Sequence, residues 1–439
     1  MNRSRLAGLA LIAFAASCSS SESPDRASSA TSTGALPCDV DAVLTRACRK
    51  CHATPPKFGA PMPLDTWGDL HAAARSDATQ KVHQRVKARI HDPVSPMPQG
   101  DTLAASELAT LDRWLDAGAP PRSNGETCAA ADAGPAARVG PEHLPCPAAE
   151  QTTFRAHAAG APDAPFAVPA DSGNLYQCFT WKVPWTSETQ ATAFAPIIDD
   201  GRVVHHWILY STATPQEEGG AGPCKMPFDA TFLSGWAPGG GNRDMPPDVG
   251  LALPGAEPRW LILQLHYWNV AGYTDARDRS GVAMCTASGP TLRKHTAVVS
   301  TLGSLAIDLP PKSARVEVSG MCTPDTQQDL HVISAGPHMH ELGASFKTEI
   351  LRGGDPSKSE VLVDVPRWDF QSQALYPTDK IVRPGDKLRT TCTYANSTGQ
   401  RVTFGERTED EMCFNFVAVW PAPGLVNAGG KGALRCIDR

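Results

Sequence analysis

Past residue 18 the chain has no run of the 18 or more apolar residues that a membrane-crossing helix needs. It also has no basic tract, and its net charge is −6, which argues against nucleic acid as a partner. Long helical periodicities are scarce. What is abundant instead is proline and glycine, 39 and 37 of the 439 residues, together with short apolar segments. That combination predicts a mainly β body large enough for two or three domains. Thirteen cysteines point to disulfides and hence to an oxidising compartment.

The first 18 residues, MNRSRLAGLALIAFAASC, have a basic start (Arg3, Arg5), an apolar run from Leu6 to Ala16 and small residues before Cys18. This is the pattern of a secretory signal, with an apolar run too short to span a bilayer. The cysteine resembles a bacterial lipoprotein site, although Ala15 stands where leucine is usual. The resemblance implies a lipid anchor at Cys18, with Ser19 directing the protein to the outer membrane of a Gram-negative bacterium. Ordinary cleavage would give a periplasmic protein. Residues 19–35 are rich in Ser, Thr and Ala without apolar periodicity and read as a flexible tether.

ACRKCHATPP contains Cys48, Cys51 and His52 in the spacing C-x-x-C-H. Two thiols so placed can form thioethers to haem while the adjacent imidazole ligates the iron. Met62 in APMPLD and Met97 in SPMPQG are both candidates for the second axial ligand. Met97 precedes LAASELATLDRWLDAGAP, a helix with Leu108, Leu111, Trp114 and Leu115 on one face, ended by Gly118 and prolines. This order of C-x-x-C-H, methionine loop and final Trp-bearing helix resembles small cytochrome c domains, and the resemblance implies Met97. His71, His83 and His91 read as surface residues. Residues 36–127 resemble a small, all-α cytochrome c domain, and a bridge between Cys38 and Cys128 would staple its ends.

In the larger region the histidines cluster. His205 and His206 lie in DDGRVVHHWILYS, His266 in WLILQLHYWN, and His338 and His340 in GPHMHELG. Positions i and i+2 of a strand share a face, so His338 and His340 can converge while Met339 points away. Adjacent His205 and His206 should face opposite ways, and could share an ion only through a local twist or different ring nitrogens.

Residues 146–439, about two-thirds of the chain, resemble the copper type II, ascorbate-dependent monooxygenases, the family of peptidylglycine α-hydroxylating monooxygenase and dopamine β-monooxygenase. The resemblance implies two jelly-roll-like β-sandwich domains, 146–290 and 291–439, each supplying one copper. It assigns the electron-transfer copper to His205, His206 and His266, the last within Gln264-Leu265-His266-Tyr267. It assigns the oxygen-activating copper to His338, His340 and Met412, with Cys413 following. It also pairs Cys146 with Cys285, Cys178 with Cys224, Cys322 with Cys436 and Cys392 with Cys413, and matches WDFQSQ at 368–373. The implied activity is hydroxylation of an activated C–H bond of a small organic substrate by O2. Electrons would reach the coppers from an external donor through the fused haem c, with ascorbate as a further reductant. The peptidylglycine enzymes carry an arginine two residues before the H-x-H pair and a tyrosine four after the ligand methionine. Here those positions are Gly336 and Phe416, which argues against a peptide C-terminus and leaves an apolar or aromatic small molecule as the expected substrate. A non-catalytic, copper-binding electron-relay lipoprotein is the competing expectation. It differs in showing no substrate-dependent O2 uptake.

Overall fold

The computed structural model describes residues 35–421 and 435–438, apart from 76, 93–95, 99–102, 124–125, 129–138, 173, 225–226, 228, 239, 256–258, 325, 371–372 and 406–408. The basic start, the apolar run, Cys18 and residues 19–34 lie outside the described residues. Among those described, no helix is long and apolar enough to cross a membrane.

The N-terminal region is small and helical. Helices Cys38–Val43, Trp67–His71, Val82–Ile90 and Ala105–Asp116 enclose Val40, Leu44, Leu70, Val82, Leu111, Trp114 and Leu115. In the last helix Leu111, Trp114 and Leu115 are the buried positions, at the spacing that puts side chains on one face. Gly118 ends it at φ +82°, a left-handed turn that glycine adopts without a Cβ penalty. The Thr66 hydroxyl accepts from Asp69 N while the Asp69 carboxylate accepts from Thr66 N, fixing the start of Trp67–His71. A Cys38–Cys128 disulfide closes the region.

The rest is mainly β and forms two sandwiches. The first sets a five-stranded antiparallel sheet, in the order 220–223, 175–182, 260–267, 204–212, 231–236, against part of a ten-stranded sheet. The second sets a four-stranded sheet (313–322, 387–396, 343–351, 359–365) against the remainder of it. Each has its own core. Phe179, Trp207, Leu261 and Leu263 meet Phe194, Leu251 and Met284 in the first. Phe346, Ile350, Leu388 and Tyr394 meet Val332, Val417 and Val419 in the second.

The two sandwiches are not beads on a string. Their shared sheet is continuous, joined where Val249–Ala252 pairs in parallel with His295–Ser304. Four disulfides, Cys146–Cys285, Cys178–Cys224, Cys322–Cys436 and Cys392–Cys413, pair as the resemblance implies. The last two each link the four-stranded sheet to the shared one. Five bridges fit an exported protein. Cys48 and Cys51 are the two described cysteines outside that set.

Candidate metal centres

Strand alternation should send His205 and His206 to opposite faces, and a bulge resolves the conflict. Strand Val204–Thr212 pairs with Trp260–Tyr267 so that His266 faces His206 and Tyr267 faces Val204, leaving His205 as the extra residue. A bulge re-aims the side chain it adds. The result is a triad, His205 and His266 buried and His206 partly so, in which His205 Nδ1 lies 3.1 Å from His206 Nδ1 and 3.3 Å from His266 Nδ1. The far edge of His266 points its Nε2 at Asn174 Oδ1, 2.7 Å away. An amide oxygen can only accept, so Nε2 carries the proton and the Nδ1 lone pair faces the triad. Tyr176, the cross-strand partner of His266, stacks on its other side with ring centroids 4.4 Å apart.

The second set is built from strand ends. Strand Leu330–His338 pairs antiparallel with Cys413–Trp420, His338 opposite Phe414. The same register carried two residues further brings the segment of His340 to that of Met412. Met339 is fully buried in the second core, so the alternation expected for H-M-H holds. His338 Nδ1 donates to Gln373 Oε1 at 2.6 Å, and His340 Nδ1 donates to the Asp410 carbonyl at 2.9 Å. Both rings therefore hold the tautomer whose lone pair is on Nε2, the reverse of His266.

Burial, and for three of them a neighbouring ring, keeps His205, His206, His266 and His338 neutral. Burial lowers the His205 pKa to about 4, and burial with the neighbouring rings puts His206 and His266 well below the usual value. Burial, then the neighbouring His340, hold His338 at about 3. Neutral imidazole is the ligating form. His206, His338, His340 and Met412 line one cleft of about 660 Å³. Its walls include Phe232 stacked on Phe416, centroids 4.6 Å apart.

Two residues that hold this geometry carry no signal in the sequence. Asn174 is 92 residues from the ring it orients. Glu411, beside Met412, accepts backbone N–H bonds from His340 at 2.8 Å, Leu342 at 2.6 Å and Met412 at 3.2 Å. Its carboxyl pKa is raised to about 8 by burial, against the pull of those donors.

In the N-terminal region His52 Nδ1 donates to the Met62 carbonyl at 2.8 Å. Met62 packs against the helical core, while Met97 is held through its N–H to the Arg89 carbonyl, 2.8 Å.

Two family descriptions match. "Copper type II ascorbate-dependent monooxygenase, N-terminal domain" covers residues 163–274, the stretch with the triad, and its "C-terminal domain" counterpart covers 295–428, the stretch with the second set. The chain belongs to the copper type II, ascorbate-dependent monooxygenases. Similar proteins include DBH-like monooxygenase protein 1 of Gallus gallus, 27% identical over 282 residues, 58% of this chain and 46% of that protein. Dopamine beta-hydroxylase of Equus caballus is 27% identical over 275 residues, 57% of this chain and 44% of its own length. The chain thus spans about half the length of the curated relatives it matches.

The donors fit the metal the family uses. Three converging neutral imidazoles without a carboxylate suit both copper oxidation states, and a thioether beside two imidazoles favours the cuprous one. Asn174 offers a direct check on the triad. Asn174→Leu removes the acceptor that fixes the His266 tautomer, and should weaken copper binding there by roughly 10–100-fold. Titration against a competing chelator should find the His338/His340 set unchanged.

Proposed function

We propose that this protein is a copper monooxygenase that hydroxylates an activated C–H bond of a small apolar or aromatic substrate. The observation that carries the reading is that His206 of the triad lines the same cleft as His338, His340 and Met412. His205, His206 and His266 would hold the electron-storing copper, and His338, His340 and Met412 the copper at which O2 reacts. When bound, copper supplies O2 binding and two single-electron transfers, so that O2, a C–H bond and two protons give a hydroxyl group and water.

The chain's own residues do the positioning. Gln373 and the Asp410 carbonyl hold the protons on Nδ1 of His338 and His340, presenting Nε2 to the metal. Phe232, Phe370, Phe414 and Phe416 line the cleft and favour an apolar guest over water. A Cβ at 336 would come within 2.6 Å of Leu375 Cδ2, so that side chain fills the space an arginine there would need and would have to shift for it. That supports the expectation that a peptide carboxylate is not the recognised group.

The same proposal keeps the finer organisation read from the sequence. It has a signal and lipid anchor at Cys18 in the outer membrane or periplasm, a cytochrome c-like domain at 36–127, and jelly-roll-like domains at 146–290 and 291–439. Cys48, Cys51, His52 and Met97 would hold haem c as an electron donor beside ascorbate. The turn at the motif supports this: Cys51 and His52 N–H both bond the Cys48 carbonyl. The bond from His52 Nδ1 to Met62 leaves Nε2 as the ligating nitrogen.

The test is O2 uptake by copper- and haem-loaded protein with ascorbate over a panel of benzylic, allylic and glycine-extended substrates. Uptake matched by hydroxylated product on the apolar members is the expected result. No substrate-dependent uptake by protein that has both metals would favour the electron-relay reading, and efficient turnover of glycine-extended peptides would overturn the substrate assignment.

A further inference from the structure

The C-x-x-C-H segment does not sit apart from the triad. The Lys57 N–H bonds the Cys51 carbonyl at 2.8 Å, and the next two residues are seated on the first sandwich. Phe58 N donates to the Gly201 carbonyl at 2.5 Å and Gly59 N to the Arg202 carbonyl at 3.2 Å. The Phe58 ring meets Trp236 edge-on, centroids 5.7 Å apart. A Cβ on Gly59 would come within 3.0 Å of Cβ, Cγ and Cδ1 of Trp268, so backbone and indole are already in contact. Trp268 in turn lies with its ring 5.6 Å from His205 and 5.8 Å from His266.

This seat is tightly specified. The receiving turn is braced by Arg202, which donates to Asp200 at 2.7 Å and lies over the Tyr273 ring at 4.7 Å. On the loop, Phe58 and Gly59 both have left-handed backbones, φ +53° and +75°. For phenylalanine that conformation is strained and persists only where the surroundings impose it. Strain kept at a contact between a redox motif and a metal-site neighbour points to a function for the contact.

We infer that the loop 57–60, seated on Trp268, is the route by which electrons pass from the C-x-x-C-H centre to the His205–His206–His266 site. The inference rests on the reading of Cys48, Cys51 and His52 as a haem site. The step is a one-electron transfer, iron(II) to iron(III) on one side and copper(II) to copper(I) on the other. No bond forms or breaks, and an external one-electron donor restores iron(II). Tunnelling falls steeply with distance, so a route of one hydrogen bond, two residues and two ring contacts is favoured over a diffusive encounter. Fusion also holds the donor at a high effective concentration.

The experiment uses the full chain loaded with haem and copper, without oxygen or ascorbate. The haem is reduced with sub-stoichiometric photoreduced flavin, and its visible band is followed beside the cupric EPR signal. In the parent protein the band should decay as the EPR signal is lost. Gly59→Val, which drives a side chain into Trp268, and Trp268→Leu should each slow that decay by about tenfold or more. Copper content, the cupric EPR parameters and the rate of copper reduction by added ascorbate should stay at parent values in Gly59→Val. If both variants transfer at the parent rate, the route lies elsewhere and the inference falls. A parent protein with no haem band, or with one that never decays beside copper(II), would instead overturn the haem-donor reading.

Discussion

His340→Ala is expected to abolish hydroxylation while the protein keeps the copper of the other site. The two donor sets share a cleft but no residue, so loss of one ligand should empty one site. His340 is nearly fully buried, donates from Nδ1 to Asp410, and receives a bond from Trp368 Nε1 on its carbonyl at 3.1 Å. The Asp410 bond fixes the ring's tautomer with the lone pair on Nε2, the nitrogen proposed to ligate. Loss of an outer partner costs a metal site roughly 10–100-fold, so loss of the ligand itself should cost more than that. Cupric EPR should retain the all-nitrogen signal of the triad, and reduction of that copper by ascorbate should run as in the parent. Substrate-dependent O2 uptake should be undetectable. Residual turnover near the parent rate would show that O2 reacts at another place.

The two donor sets could be grouped from sequence only through family likeness. Spacing alone justified His338 with His340, because i and i+2 share a strand face. It argued against His205 with His206, and the missing fact was a one-residue bulge set by pairing with a strand some 60 residues away. The terminal helix of the N-terminal region was legible because its apolar face follows the helical period. Asn174 and Glu411 were illegible for the opposite reason. Each acts through an atom brought in by tertiary packing, and neither residue type nor neighbours mark which way the side chain turns. The continuous sheet was likewise hidden. Its junction is a three-residue parallel ladder, and short parallel pairings leave no turn signal between partners. The seat of Phe58 and Gly59 on the first sandwich joins residues more than 140 apart, beyond the reach of any local pattern.

Glu411 is where stability and site geometry meet, and its replacement should show both. One carboxylate accepts from the backbone of His340, Leu342 and Met412, so it clips the turn after H-x-H to the segment that carries the thioether. Its burial is unfavourable in itself, as the raised pKa shows, and is offset only while those donors are satisfied. Glu411→Ala leaves the buried N–H of His340 and the part-buried N–H groups of Leu342 and Met412 without that acceptor. At about 1–3 kcal/mol for each unsatisfied group, less the relief of removing a buried carboxyl, the net loss should be on the order of 3 kcal/mol. The Cys392–Cys413 bridge and the shared sheet remain, so the second sandwich should still fold, with a lower thermal midpoint. Glu411→Gln keeps one oxygen acceptor but turns an amide toward N–H donors, and should fall between parent and alanine variant. A purely structural role would lower stability without choosing between the metals. The clip instead predicts a selective outcome: chelator titration should show weaker copper binding at His338, His340 and Met412, with the triad at parent affinity. An alanine variant that melts with the parent and holds both coppers equally would mean that the turn keeps its shape without the carboxylate.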